Sequence, residues 1–485
     1  MLLGLWIIVL LFIGLIILNN ARIYEGKSSH IFGGGELWIK RGGLFVSIVI
    51  LYITIYWWYI YSNNGGYELI ESVNTILVGI DSVSIYFILL IGLILPLCIL
   101  GNWNNIKVNI GLYNIIIITL GILLLINFIC IDILSFYVLF ESTLIPLFIL
   151  ISIYGAENKE KAAYYVLIYT LVASLFMLLS ICVTTYILNT TSYLVYTQYV
   201  LSLDIQVLLW LGIMLAILVK SPLYPLHIWL PVVHSESPLG GSIILASIVL
   251  KLTIYLIIRW MLPFLSEATI LYYPTVYIIC ILTIIITSLI TIVQIDLKVI
   301  IAYSSISHMA VCIIGAFSNN IVGIEGSYLL ALAHGFISPG LFIAVGGILY
   351  DRYHTRILLY YNGLLSYMPI FSFYFIVLSF ANIGTPLSAN FVGEFLSLYG
   401  AFNNSPIFIS IAAFSVLLSA TYQMKLTSRI TGGKPSEYTH VTRDITNRES
   451  ILLLSTILPA LFIGIYPNFI LNSLYTNISN ILYIL

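Results

Sequence analysis

The stretch VKSPLYPLHIWLPVVHSESPLGG, residues 219–241, places a lysine, two histidines, a glutamate and four prolines directly after an apolar run. Pro222 and Pro225 follow Lys220 closely, and each proline removes a backbone donor and clashes with the preceding helical turn. A helix that includes the apolar run QVLLWLGIMLAIL is therefore predicted to break just after Lys220. At membrane depth, broken backbone is tolerated only inside protein or beside water. The stretch thus predicts an interior hinge at a hydrated site.

The composition indicates that the surrounding chain does lie in a membrane. Charged residues make up 8% of 485 and hydrophobic residues 61%, with a mean hydropathy of +1.10. A soluble domain carries about a quarter charged residues, so the solvent of this chain is a bilayer. The net charge of −1 gives no reason to expect a nucleic-acid partner. Five cysteines stand singly in or beside apolar stretches, which disfavours disulfides, metal sites and iron–sulfur clusters.

The apolar segments predict an all-α integral membrane protein with about fourteen transmembrane helices, at about twenty residues per crossing. The predicted spans are 2–18, 44–61, 83–101, 110–131, 133–153, 162–187, 206–234, 239–258, 274–294, 297–317, 321–349, 366–401, 405–424 and 451–471. The first span carries no basic leader and reads as a retained helix rather than a cleaved signal peptide. The bias toward Ile, Tyr, Asn and Leu suits A/T-rich codons and is typical of an organellar gene.

The loop charges support this number of spans. Among the 18 lysines and arginines, fifteen are predicted to lie in the odd-numbered loops. These are Arg22, Lys27, Lys40, Arg41, Lys107, Lys159, Lys161, Lys298, Arg352, Arg356, Lys425, Arg429, Lys434, Arg443 and Arg448. The even-numbered loops hold only Arg259, at a helix end. By the positive-inside rule the odd loops face the interior compartment, and both termini face the other side.

A second break is predicted in SFANIGTPLSANFVGEF, where Gly384 and Pro386 interrupt the twelfth apolar segment. The seventh and twelfth spans are each fourth in a set of five, helices 4–8 and 9–13. Because five is odd, the second set starts from the opposite face, which predicts two inverted repeats with broken helices 7 and 12. The expected divisions are 1–109 for helices 1–3, 110–260 and 261–425 for the two half-channels, and 426–485 for the last loop and helix.

Four charged residues are predicted at membrane depth: Glu141, Lys220, Lys251 and Glu394. Each costs about 2.5–3.5 kcal/mol at mid-membrane, and ionisable groups inside a bundle are functional by default. The alternative is that they form two compensating pairs that only hold helices together.

Three histidines complete the candidate set: His227, His308 and His334. His227 lies seven residues before His234, so both can share one face of the second half-helix. His308 and His334 lie on successive helices and are flanked by serines, so a proton relay and simple packing are both open. Carboxylates and thiols at metal-ligand spacing are lacking beside them.

Six motifs, taken in order, carry a resemblance over essentially the whole chain. They are FESTLIPL, VKSPLYPLHIWLPVVHSESP, LKLTIY, AYSSISHM, ALAHGF and GTPLSANFVGEF. The pattern resembles the antiporter-like proton-channel subunits of mitochondrial respiratory complex I (NADH:ubiquinone oxidoreductase). Glutamate rather than lysine at position 394, and a length without the lateral helix of subunit 5, favour the subunit 4 branch of that family.

The resemblance implies a role for each candidate. Glu141 matches the glutamate paired with the broken-helix lysine, Lys220. Lys251 matches the central connecting lysine, His308 and His334 match the histidines between the halves, and Glu394 matches the terminal exit carboxylate.

The implied setting is the mitochondrial inner membrane, with the odd loops in the matrix and both termini toward the intermembrane space. The implied partners are other complex I membrane subunits, especially antiporter-like subunits 2 and 5, and lipids. NADH, flavin, iron–sulfur clusters and ubiquinone belong to other subunits, so no cofactor is expected on this chain. Two alternatives stay open: a stand-alone cation/proton antiporter, and a structural membrane subunit whose buried ions only organise packing.

Overall fold

The computed structural model describes residues 2–25, 34–63, 69–73, 76–196, 198–199 and 201–484. In this part of the chain, twelve helical segments are long and apolar enough to cross a membrane. The first helix, Leu2–Glu25, and the broken pair Pro369–Ile383 and Ala389–Phe402 complete fourteen crossings. The predicted all-α membrane architecture and its number of spans are thereby confirmed. Lys27, one of the predicted loop cations, lies outside the described residues.

The helices are as follows, in chain order. The first eleven are α1 Leu2–Glu25, α2 Gly34–Asn63, α3 Ser82–Gly101, α4 Ile110–Ile129, α5 Ile133–Ser142, α6 Leu144–Tyr154, α7 Lys159–Leu188, α8 Tyr193–Tyr196, α9 Leu203–Lys220, α10 Trp229–Glu236 and α11 Leu239–Ile244. The others are α12 Lys251–Leu256, α13 Leu262–Phe264, α14 Ser266–Val293, α15 Leu297–Ala316, α16 Ile321–Phe342, α17 Tyr350–Tyr353, α18 Pro369–Ile383, α19 Ala389–Phe402, α20 Pro406–Ala412, α21 Phe414–Thr431, α22 Asn447–Ile465 and α23 Asn468–Ile484.

Shorter elements join them. Three π-helical segments occupy Leu245–Val249, Ile257–Met261 and Ile343–Leu349, and two 3₁₀ turns occupy Leu358–Tyr360 and Leu364–Ser366. The strands β1 (Leu69–Val73) and β2 (Ile76–Ile80) form an antiparallel hairpin.

The odd-numbered loops meet at one end of the bundle. The Ala156 amide, in the fifth loop, donates to the Glu236 carbonyl at the seventh loop, at 2.9 Å. The Gly363 amide, in the eleventh loop, donates to the Gly432 carbonyl at the start of the thirteenth, at 2.8 Å. Loops that meet at one end must be separated by an even number of crossings, and two crossings separate each of these pairs. The alternation that the loop charges predicted is therefore present in the structure.

The even-numbered loops meet at the opposite end, where the structure departs from an all-helical chain. The hairpin β1–β2 forms the second loop, and Val78 of β2 makes a bridge with Cys130 in the fourth loop. Arg259 forms an ion pair with Asp81, the N-cap of α3, and its guanidinium lies 4.2 Å from the Tyr193 ring. Arg259 was predicted in an even-numbered loop at a helix end, but it lies inside the crossing that continues to Phe264, and its side chain is buried.

The helix α23 was not predicted, because the last span was placed at 451–471 and nothing was assigned beyond it. The crossing helix α22 ends at Ile465, and α23 follows after a short turn. Its side chains bond to α3: Ser473 Oγ lies 2.7 Å from Tyr86 Oη, and Asn477 donates to Ser82 Oγ at 2.8 Å. Its asparagines, serines and threonines lower its hydropathy, so a criterion of continuous apolar length passes over it.

The fourth to eighth crossings and the ninth to thirteenth crossings form two sets of five. In both sets the third crossing packs against the broken fourth crossing: α7 packs against α9 in the first set, and α16 packs against α19 in the second. Gly400 of α19 lies so close to Gly323 of α16 that a side chain would not fit between the two backbones. The α16 crossing and the crossing from α11 to α13 are buried along their whole apolar length. Polar groups on these two helices therefore lie at the centre of the bundle.

Candidate functional site

The seventh crossing breaks where the prolines predict. The helix α9 ends at Lys220, and α10 begins at Trp229. Two carbonyls left free by the break find new donors: Leu218 accepts from the Leu223 amide at 2.9 Å, and Val219 accepts from Trp229 Nε1 at 2.8 Å. The broken backbone is thus satisfied by protein groups, as its depth in the membrane requires.

Lys220 and Glu141 lie near each other but do not touch. The Lys220 ammonium is 2% exposed, donates to the Phe140 carbonyl at 3.0 Å and lies 3.1 Å from the centroid of the Phe140 ring. Glu141, the next residue in α5, is half-buried, and its Oε1 has no hydrogen-bond partner. The two charges interact through space, although no ion pair within 4 Å joins these two described residues. Glu141 and Lys220, which were predicted to pair, are therefore close in this structure but do not form a salt bridge.

Lys251 occupies the centre of the bundle. It is fully buried, and it follows directly after the π-helical segment Leu245–Val249. A π-turn shifts the backbone hydrogen-bond pattern by one residue and is frequent at functional sites. Here the Lys251 ammonium donates to the Ala246 carbonyl within that segment and lies 2.7 Å from Nδ1 of His334.

From His334 the ionisable groups continue through His308 to Glu394, with no apolar side chain between them. The rings of His334 and His308 lie 5.6 Å apart between centroids, and Nδ1 of His308 is 2.8 Å from Oε1 of Glu394. Both histidines are buried, and the Nε2 atom of each has no hydrogen-bond partner in the protein. The structure therefore brings Lys251, His334, His308 and Glu394 together into one buried chain of ionisable groups.

The break in the twelfth crossing positions Glu394. The helix α18 ends at Ile383 and is capped by Gly384, whose φ of +80° favours glycine. A Cβ at this position would come within 2.9 Å of Oε2 of Glu394, so the glycine also makes room for the carboxylate. A cavity of about 350 Å³ adjoins both residues, lined otherwise mainly by apolar side chains such as Phe391 and Phe395.

The two repeats place their ionisable groups on corresponding helices. In the first repeat the second helix carries Glu141 and the broken fourth helix carries Lys220. In the second repeat the second helix carries His308 and the broken fourth helix carries Glu394. Each broken helix thus faces one titratable partner, and Lys251 lies between the two halves.

The remaining predicted groups contribute less to this chain. His227 is buried next to Tyr303, with ring centroids 6.1 Å apart, and its Nδ1 has no hydrogen-bond partner. Among the serines predicted to line the histidines, Ser338 reaches His334 Nδ1 at 3.5 Å. The other three donate to carbonyls of their own helix instead; they are Ser304, Ser305 and Ser307.

Lys298 is a third buried lysine, and its burial was not predicted from the sequence. Lys298 was counted among the loop cations because it is the second residue of α15, but it is 6% exposed and donates to the Ser237 carbonyl at 3.1 Å. His234, noted only as a neighbour of His227, is completely buried, and neither ring nitrogen has a hydrogen-bond partner. The polar residues that directly follow His234, Ser235 to Ser237, were the available sequence signal for a buried polar site, since they lie opposite the start of α15.

Comparisons with known proteins agree with this geometry. The family described as NADH:quinone oxidoreductase/Mrp antiporter, transmembrane, matches residues 130–419. NADH-ubiquinone oxidoreductase chain 4 of Yarrowia lipolytica is 51% identical over 484 residues, covering 97% of this chain and 98% of the relative. The Candida albicans chain of the same name is 58% identical over 404 residues, covering 83% and 86%.

A solved structure extends the agreement to three dimensions. A chain of respiratory complex I from Thermus thermophilus superposes with a TM-score of 0.84 at 27% identity, covering 92% of this chain and 95% of that one. With this fold, the family match over more than half of the chain and relatives of this identity, the chain belongs to the chain 4 branch of the NADH:quinone oxidoreductase/Mrp antiporter membrane family.

Proposed function

We propose that this chain is a core membrane subunit of respiratory complex I and moves protons across the membrane as NADH is oxidised and ubiquinone reduced elsewhere in the complex. The observation that carries the proposal is the buried chain Lys251–His334–His308–Glu394, in which both ends are direct contacts of 2.7 and 2.8 Å. Every member can gain and lose a proton. A buried arrangement made only for packing has no need of four titratable groups in sequence, because each costs several kcal/mol in a membrane.

Proton transfer along this chain needs small movements only. Lys251 donates its proton to His334, and His334 passes one to His308, whose ring centroid lies 5.6 Å away, once a ring turn or a bridging water joins their nitrogens. His308 then protonates Glu394, which releases the proton at the second broken helix. Glu141 and Lys220 act in the first half and set the charge that Lys251 experiences.

The family membership supports a proposal for the setting. We place the chain in the mitochondrial inner membrane, encoded by the mitochondrial genome, with its odd loops in the matrix and both termini toward the intermembrane space. Its membrane partners include antiporter-like subunits 2 and 5, together with lipids. NADH, flavin, iron–sulfur clusters and ubiquinone bind to other subunits.

Two substitutions at Lys251 test this function. Lys251→Met keeps the length of the side chain and removes the proton site, whereas Lys251→Arg keeps the charge but cannot release a proton. We expect both variants to assemble and to lose more than tenfold of NADH-driven proton translocation, measured with a pH-sensitive dye in vesicles per assembled complex. Lys434→Met, at an exposed lysine of the thirteenth loop, is the control and should pump normally. Normal pumping by assembled Lys251→Met would refute the relay.

A further inference from the structure

A polar cavity of about 520 Å³ opens where the odd-numbered loops meet. Its wall is built from five of these loops and the adjoining helix ends. It includes Asn102, Asn105, Ser235, Glu236, Lys298 and Asp351. The cavity is large enough for many water molecules and reaches inward to the start of α15.

Lys298 lies at the inner wall of this cavity. Its side chain passes the π-helical segment Ile343–Leu349 at Gly346, where an added Cβ would come within 2.7 Å of the lysine Cε. Its ammonium donates to the Ser237 carbonyl at 3.1 Å. Because Gly346 has no side chain, it leaves space beside the π-helical segment for the aliphatic part of the Lys298 side chain.

Glu236 is one of the acidic side chains in the cavity wall. It is 9% exposed, its Oε2 accepts from the Asn158 amide at 3.0 Å, and it interacts electrostatically with Lys298. Asp296 and Arg356 are the other charges that act on the lysine. The Glu236 carboxylate and the Lys298 ammonium thus both line this water-accessible cavity.

His234 lies three residues before Ser237, whose carbonyl accepts from Lys298, and its ring is completely buried. Its ring stacks on Phe342 with 4.6 Å between centroids, and both ring nitrogens are buried without a hydrogen-bond partner. The ring is within electrostatic reach of both Lys298 and Lys251. A fully buried polar ring with no protein partner is costly unless water or a transferred proton satisfies it.

We propose that Lys298 and His234 form the uptake branch through which protons from the cavity reach Lys251. This inference rests on the proposed function, and it adds a starting point to the relay. The Lys298 ammonium gives one proton to a ring nitrogen of His234, directly or through one water, and the neutral amine takes a proton from cavity water beside Glu236. The His234 imidazolium then protonates the neutral amine of Lys251. Each step moves one proton and no electrons.

A purely structural role for Lys298 makes a different prediction. In that role the ammonium only holds the Ser237 carbonyl, so any cation of the right size would serve. A proton carrier must also release its proton, so the basicity of the amine matters. Removing the side chain and supplying amines from solution separates these two roles, because the cavity is open at the odd-loop end.

The experiment uses the assembled complex with Lys298→Ala. We expect NADH-driven proton translocation to fall at least tenfold, and small primary amines added to the medium to restore it in part. Among amines of similar size, the restored rate should change with their basicity. Full activity of Lys298→Ala, or a restoration that follows amine size alone, would overturn the proposal.

A glycine pair gives an independent measurement with a matched control. Gly346→Ala places a methyl group against the Lys298 stem, whereas Gly347→Ala, in the same segment, meets only the Leu239 side chain. We expect Gly346→Ala to reduce translocation severalfold and Gly347→Ala to leave it within twofold; equal effects would contradict the proposal. Lys251→Met in the same preparation separates the two hypotheses. If it pumps normally the proposed function fails, and if only the Lys298 variants pump normally this inference alone fails.

Discussion

The contact between His308 and Glu394 makes the sharpest prediction of the relay. In Glu394→Gln the side chain keeps its shape and can still hydrogen-bond His308, but it carries no charge and cannot accept a proton. Two unit charges at the observed 2.8 Å, with an effective dielectric of ~20, attract by about 6 kcal/mol. If relaxation and internal water offset two thirds of that energy, ~2 kcal/mol remain. This corresponds to roughly 30-fold slower protonation of His308.

Glu394→Asp keeps the charge and withdraws it by about 1.5 Å, the length of one carbon–carbon bond. The same calculation leaves ~4 kcal/mol of attraction, and the same offset predicts roughly a threefold loss. A water can also bridge the longer distance. The aspartate is therefore expected to be the milder change, although the glutamine is closer in shape. A residue that served packing alone would give the opposite order.

The assay is NADH:ubiquinone turnover and proton translocation per assembled complex, with assembly checked on native gels. Glu325→Gln is the matched control, because Glu325 is another buried carboxylate of the second repeat, at the start of α16, and lies outside the relay. We expect this control within twofold of the unmodified complex. Assembled Glu394→Gln that turns over within threefold of the unmodified complex would refute the proton role of Glu394.

Three further predictions concern other parts of the chain. A protease site or epitope tag within residues 431–440 should be reachable only from the matrix side, and labelling of intact mitoplasts from outside would contradict the charge argument. Glu141→Gln should leave assembly intact and lower turnover severalfold, with Glu141→Asp milder, because Lys220 then loses its nearby charge; unchanged turnover of the glutamine variant would remove Glu141 from the mechanism. Asp81→Asn should lower the amount of assembled complex, since removing one charge of a buried ion pair such as Asp81–Arg259 costs about 3–5 kcal/mol; quantitative native gels provide the measurement, and an unchanged amount would show that the ion pair is dispensable.

Much of the site could be predicted from the chain alone. A membrane crossing depends on a local count of apolar residues, and a helix break depends on prolines and glycines at known positions, so both are visible without a partner. The same holds for Lys220, Lys251 and Glu394, because a charge inside an apolar segment is conspicuous wherever its neighbours lie. Fourteen crossings, two breaks and the four ionisable residues predicted at membrane depth follow from these local signals.

The tertiary structure alone decided which of these residues meet. Lys251 bonds His334, and Glu394 bonds His308, while Lys220 bonds a carbonyl next to Glu141 instead of the carboxylate itself. Such choices depend on the faces that separate helices present to each other, which are set by packing across the bundle rather than by spacing along the chain. The π-helical segment before Lys251 could not be predicted either, because no residue marks a π-helical turn in a sequence as proline marks a helix break.

Lys298 shows the same limit from the other direction. Its place two residues into a helix, beside a charged loop, is that of an ordinary surface cation, and the sequence determined that position correctly. Burial came only when α10, the end of the eleventh crossing and the seventh loop closed over it. The sequence by itself determined the solvent, the crossings and the inventory of charges, because these are properties of each segment. The three-dimensional packing decided which charges become neighbours, because proximity between segments is a property of the whole bundle.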